Sequence, residues 1–212
     1  MKRFLAALLV LMLLASVPAL AEFKGFRLDI PEYYQTDYTD VQVVWRGEPK
    51  SVATSGCGAA CTAMIIAYYN NVLWNGEKEA PDPKEIFQQE IENGGFRGNG
   101  LSHTSLRKIL HRYGIQSKWR MLNRQAIIRI LQEGRPIVVH VGKGYFTNNV
   151  HYVLLAGLTD DQELIVIDPN SRDKSKNYTY RIASLMKQVY GEYPFLVCYN
   201  EVPNPPGKQQ AE

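Results

Sequence analysis

The sequence predicts an α+β domain in which helices from the first half of the chain pack on an antiparallel sheet from the second. Three observations carry this. Residues 56–69 are apolar on nearly every side, which suits a buried central helix better than an amphipathic surface one. Helical patterns precede runs of β-formers along the chain, the order expected when one helix set covers one face of an antiparallel sheet. Residues 151–158 and 164–168 are β-forming runs joined by Thr159-Asp160-Asp161-Gln162, which reads as a hairpin.

Composition sets the frame for these elements. The chain has 212 residues, 45% of them hydrophobic and 21% charged, ordinary values for one globular domain. A chain this long buries enough surface to need neither a disulfide framework nor a structural metal. Residues 1–21 read as a signal peptide: Lys2 and Arg3 precede an apolar stretch, and Ala19-Leu20-Ala21 offers a cleavage site. The protein is therefore expected to be exported, as a secreted, periplasmic or cell-surface product. The apolar stretch is shorter than the roughly 20 residues a membrane span needs. The formal charge of +3 falls to +1 without Lys2 and Arg3, which leaves 22 basic against 21 acidic residues and no case for nucleic acid as a partner.

Within the expected domain, 22–202, residues 22–55 read as an extended lead-in with little regular structure. The buried helix follows, with Ser55 suited to cap it. Asp82 and Glu85 stand at capping-box spacing with Pro83 at the first helical position. Residues 102–113 and 123–133 give two further helices, stopped by Gly114 and Gly134. Strands are expected at 137–141, 151–158 and 164–168, with weaker candidates at 178–182 and 195–199 and a short helix over 183–189 between them. Residues 203–212, rich in Pro, Asn and Gln, read as a disordered tail.

The run Ser55-Gly56-Cys57-Gly58 places a thiol in the first turn of the buried helix. The positive end of a helix dipole stabilises a thiolate, and flanking glycines allow another backbone to approach. By itself such a cysteine is more often a small buried residue. The hairpin changes the balance, because its geometry sets His151, at the start of one strand, beside Asp168, at the end of the other. Cys57, His151 and Asp168 then form a nucleophile, a base and the residue that orients it. His140 lies inside a strand and reads as a satisfied sheet histidine. His103 and His111 read as solvated helix positions, and no cluster has metal-ligand spacing. The glycine-rich stretch 94–100 follows a helix and lacks a Lys-Ser/Thr pair, so it is not a phosphate loop.

Taken together, Gln35, Ser55-Gly56-Cys57-Gly58, Gly100-Leu101-Ser102, Gly134-Arg135-Pro136, His151-Tyr152-Val153 and Asp168-Pro169 resemble the papain-like cysteine peptidases. The branch resembled is that of the bacteriocin-leader-processing peptidases, family thirty-nine of the cysteine class, in stand-alone exported form. The resemblance spans about residues 30–199. It implies a papain-like fold, peptide or amide hydrolysis by Cys57, His151 and Asp168, a peptide or protein substrate and no cofactor. It further implies Gln35 as the side-chain oxyanion donor, paired with the Cys57 backbone N–H; Gln42 is a second candidate. Ser55-Gly56 stands where transporter-fused relatives carry an aspartate directly before the cysteine, which argues against transferring their double-glycine substrates. Two rivals remain open: acyl transfer to an amine, and a binding module that keeps the fold without the chemistry. Whether Cys61 and Cys198 are bridged is also open.

Overall fold

The computed structural model describes residues 23–40 and 42–209. The expected signal peptide, residues 1–21, lies outside them. In chain order the elements are β1 (Phe26–Arg27), a 3-10 turn (Gln35–Asp37), β2 (Gln42–Trp45), β3 (Glu48–Ser51), α1 (Val52–Ser55), α2 (Cys57–Trp74), α3 (Pro83–Glu92), α4 (His103–Arg112) and β4 (Ser117–Arg120). There follow α5 (Arg124–Gln132), β5 (Ile137–Val141), β6 (His151–Leu158), β7 (Leu164–Ile167), α6 (Arg172–Asn177), β8 (Thr179–Tyr180), α7 (Ile182–Met186), β9 (Phe195–Cys198) and α8 (Pro206–Gln209).

The main sheet runs β4-β9-β5-β6-β7-β8, with β1 on β6, and every pairing is antiparallel. Alternation along its strands divides the core in two. Val138, Leu154, Ala156, Ile167 and Leu196 face one side, where α2, α3 and α4 supply Met64, Ile65, Phe87, Leu106 and Ile109. Val139, Val153, Leu155, Val166 and Phe195 face the other, where α5 and α7 supply Ile127, Ile130, Leu131, Ile182 and Leu185. Both faces of the sheet are thus covered. The expectation of a single helix set on one face is corrected: the strands are apolar at successive positions rather than alternately, the pattern of a sheet buried on both sides.

Residues 57–70 of α2 are all buried, and the helix ends where Asn75 turns left-handed at φ 50°. Full burial of each large aliphatic side chain in it contributes on the order of 1.5–3 kcal/mol. The Asp82/Glu85 capping box is present in full, with Pro83 leading α3. Ser102 and Asn123 cap α4 and α5 through backbone N–H groups of Ser105 and Ala126.

The lead-in is more regular than expected. β1 adds to the sheet, β2 and β3 form a separate hairpin, and Trp45 of that hairpin packs edge-on to Phe96 at 5.5 Å. The tail also differs: residues 206–209 form α8, and Pro205 is buried against Gly134. A composition count does not anticipate that burial; residues 210–212 lie outside the described ones. No helix among the described residues is long and apolar enough to cross a membrane.

The docking of β1 is tight at one glycine. A side chain at Gly157, which pairs with Arg27, would overlap the carbonyl oxygen of the adjacent Phe26. Gly157→Ala is expected to lower stability by about 1–3 kcal/mol through overpacking, read as a lower denaturation midpoint with an unchanged m-value. A variant as stable as the parent would show that β1 does not lie against β6 at this distance.

Candidate active site

Cys57 opens α2, and its N-cap is Gly56, which has no side chain to offer. Ser55, expected as the cap, is instead the last residue of α1, and the Gly56 N–H closes that turn on Val52 O at 2.7 Å. The leading N–H groups of α2 therefore have no side-chain cap, and the positive end of the helix falls on the thiol.

His151 begins β6 and Asp168 follows β7. The β6–β7 register is irregular between Leu155 and Gly157, so Ala156 is an extra residue and Leu154 opposes Ile167. Continued one step, that register opposes Val153 to Asp168, and His151 is the next residue along the same side. His151 Nε2 lies 2.8 Å from Asp168 Oδ1. The carboxylate is itself fixed: Oδ1 accepts from the Asn170 N–H at 2.9 Å, and the Asp168 N–H donates to Ser175 Oγ on α6 at 2.8 Å. Asp168 Oδ2 is buried and accepts no hydrogen bond among the described residues, with Lys174 Nζ 4.0 Å away.

With Nε2 on Asp168, the Nδ1 edge of His151 is left for the thiol, and the charges of Cys57 and His151 act on one another. Burial alone would push the Cys57 thiol up. The adjacent imidazole, together with hydrogen bonds from the Tyr152 and Gly58 backbone, outweighs burial and holds it below its ordinary value of 9.0. Burial likewise acts to lower His151, but the thiolate and the Asp168 carboxylate prevail and push it up to about 9. Both shifts have one meaning: a thiolate beside an imidazolium, each stabilising the other's charged form.

These two residues sit in a pocket of about 240 Å³ walled also by Gly100, Leu101, His103 and His140. Here the sequence reading of His103 is corrected. It is half-buried, stacks on Trp119 at 3.7 Å, and its Nε2 lies 2.8 Å from His140 Nδ1. Burial lowers His103; burial and the charges of His103 and His151 push His140 down to about 4. This second imidazole pair is neutral at neutral pH, which leaves His151 as the pocket's imidazolium. Histidines at the start of a helix and the end of a strand carry no local signal that they will meet. His111 is exposed, as expected. The loop 94–100 is held by Phe96, packed on Phe87 at 5.3 Å, and by the Arg97 N–H donating to Gly100 O at 2.8 Å.

Gln35 is buried, on the 3-10 turn. Its N–H donates to Pro169 O at 2.8 Å, which ties it to the residue after Asp168, and Nε2 donates to Ala53 O at 2.7 Å in α1. Its Oε1 is buried without a partner, and the side chain does not line the Cys57 pocket. One amide hydrogen is therefore committed next to the nucleophile's helix and one is not. Gln42 lies on β2, in the hairpin outside the main sheet. Cys61 and Cys198 are free and fully buried, and burial pushes both thiols up, Cys198 to about 12. Among the described residues no group of three or more His, Cys, Asp or Glu could hold a metal ion.

The opposed shifts predict selective chemistry. Iodoacetamide at pH 6–7 is expected to alkylate Cys57 and leave Cys61 and Cys198 unmodified. The rate should climb as pH rises through the lowered Cys57 pKa, and His151→Ala should move that midpoint up toward 9. Peptide mapping that found the three cysteines equally reactive in folded protein would contradict the ion pair.

No curated protein matches the chain. Two peptidase structures are among the solved structures similar to it. One is a double glycine motif protease from an AMS/PCAT transporter in complex with the leader peptide, 19% identical, with a TM-score of 0.46 over 84% of this chain and 94% of that one. The other is the peptidase domain of Streptococcus ComA, a bi-functional ABC transporter involved in a quorum sensing pathway, 16% identical, with a TM-score of 0.48 over 77% of this chain and 99% of that one. The model of the Peptidase_C39 like family matches residues 27–197, and the chain belongs to that family.

Proposed function

We propose that the protein is an exported cysteine peptidase that cleaves a peptide or amide bond with Cys57 as nucleophile, His151 as general acid and base, and Asp168 as the residue that orients His151. The observation that carries the reading is the buried Cys57–His151 pair with Asp168 Oδ1 2.8 Å behind it, at the wall of an open pocket. Membership in a peptidase family agrees with it.

In this reading the Cys57 thiolate attacks the carbonyl carbon, and the oxyanion is met by the Cys57 N–H, which no side chain caps. Gln35 Nε2 is the second donor in this reading, through the hydrogen it does not give to Ala53, and to reach the oxyanion it must turn toward a pocket that its side chain does not line. The tetrahedral adduct collapses as His151 gives its proton to the leaving amine. His151, now neutral, takes a proton from water, which attacks the thioester and releases the acid. Asp168 holds the imidazole by Nε2 throughout and stabilises its charged form. The neutral His103–His140 pair adds no competing cation.

The test is hydrolysis of a peptide library alongside melting curves. Cys57→Ala and His151→Ala are expected to lose at least about 1,000-fold in rate. Asp168→Asn should slow turnover by less than His151→Ala does, because the amide oxygen can still accept from Nε2–H and only the carboxylate's charge is lost, and Gln35→Ala should lose about 100- to 1,000-fold, with little change in melting. Full turnover in Cys57→Ala would end the reading, and full turnover in Gln35→Ala would pass the donor role to Gln42. Hydrolysis should plateau between the lowered Cys57 pKa and the raised His151 pKa of about 9, falling on the alkaline side as the imidazolium is lost.

Export rests on the sequence of residues 1–21. The exported protein is expected to begin at Glu22, read by N-terminal sequencing. A product that keeps Met1 and stays inside the cell would remove export from the proposal without touching the chemistry.

A further inference from the structure

A second cleft adjoins the Cys57 pocket. It is about 780 Å³, against about 240 Å³ for the pocket, and Arg97 and Ser102 belong to the walls of both. A chain leaving the thiol across that shared wall enters the cleft and runs along the exposed face of α4.

The charge of this cleft is one-sided. Arg97, Arg107, Lys108 and Arg112 line it against a single carboxylate, Glu90, a local excess of three positive charges. Glu90 is buried and already paired, accepting from Arg112 Nη2 at 2.6 Å. Arg97, Arg107 and Lys108 have no ion pair among the described residues. Nor could α4 provide one, because it contains no Asp or Glu. The residues one helical turn from Arg107 are His103 and His111, and those from Lys108 are Thr104 and Arg112.

A solvated helix face ordinarily intersperses both signs. A chain with 24 basic and 21 acidic residues in all has instead gathered its excess in one concave site. A cleft lined by one sign of charge focuses its field and raises the local concentration of the opposite charge. The wall holds no Phe, Tyr or Trp on which bases could stack, which disfavours single-stranded nucleic acid as the occupant.

We infer that this cleft is a subsite for an acidic segment of the peptide substrate, next to the scissile bond held in the Cys57 pocket. The inference rests on the peptidase reading for its link to Cys57. From Ser102 to Lys108 the helix rises about 9 Å, the length of roughly three extended residues. The acidic residues therefore lie some three to six positions from the bond that is cut.

The test uses two affinity labels that differ only in charge, chloroacetyl-(Ala)3-(Glu)3 and chloroacetyl-(Ala)3-(Gln)3, each alkylating Cys57 with loss of chloride. The Glu label is expected to react about tenfold faster at low salt, an advantage that fades at 0.5 M salt as exposed pairs are screened. Arg107→Glu with Lys108→Glu should abolish the preference, and Arg107→Gln with Lys108→Gln should reduce it, while plain iodoacetamide reacts with Cys57 at the parent rate in both. Equal rates for the two labels on the parent protein would overturn the subsite. Fluorescence anisotropy with fluorescein-(Glu)3 and fluorescein-(Gln)3 reads the cleft independently of the thiol. Charge-selective binding with an inert Cys57 would mean that the peptidase reading has failed and the cleft stands. An oligonucleotide that outcompetes fluorescein-(Glu)3 would replace the peptide by nucleic acid and overturn the assignment.

Discussion

The contact between Cys57 and His151 is the interaction around which the rest is arranged, because a thiolate and an imidazolium can both be buried only if each is within reach of the other. Separated, each would be driven to its neutral form by desolvation. Held together they reverse the effect of burial, lowering the thiol and raising the imidazole to about 9. The cost of maintaining such a pair falls on the scaffold. α2 must be rigid at its first residue, and burial of residues 57–70 secures this. β6 must bring its own first residue to the same point.

The second requirement explains features of the sheet that would otherwise look incidental. The extra residue at Ala156 sets β6 against β7 so that Asp168 falls on the same side as His151. α6, only six residues long, supplies Ser175, which receives the Asp168 N–H, and Lys174, which stands near Oδ2. Gln35 joins the same construction from the other end of the chain, bonded to Pro169 on one side and α1 on the other. The turn of helix that leads into Cys57 and the residue that follows Asp168 are therefore linked through a residue that belongs to neither.

The electrostatics outside the pair are just as selective. His103 and His140 lie in the pocket wall yet are held neutral, His103 by burial and His140 by burial and the charges of His103 and His151, so they can hydrogen-bond without altering the charge felt by the thiolate. Of the cations of the neighbouring cleft, Arg97 stands in the wall shared with the pocket, and Arg107, Lys108 and Arg112 line the cleft alone. Positive charge is thus divided between one imidazolium at the reacting atoms and a patch where it can hold a ligand.

The local grammar of the chain was legible from sequence: the buried helix from its unbroken apolar run, the α3 start from Asp82, Pro83 and Glu85, and the hairpin from two β-forming runs around a polar turn. These signals suffice because each element is specified by residues within a turn or a strand's length. The meeting of His151 and Asp168 was legible for a related reason, since a hairpin carries both to a common end by its own geometry, and the place of Cys57 at a helix start is marked by the glycines beside it. What the tertiary structure alone decided are the meetings between distant elements that no local pattern encodes. His103 meets His140 and Trp119 only once α4 docks on the sheet. β1 and Pro205 meet other segments, and α5 packs on the face opposite α2 because the strands are apolar on both sides. Gln35 is placed by a carbonyl at Pro169 and another at Ala53, two backbone groups whose positions follow from the whole fold.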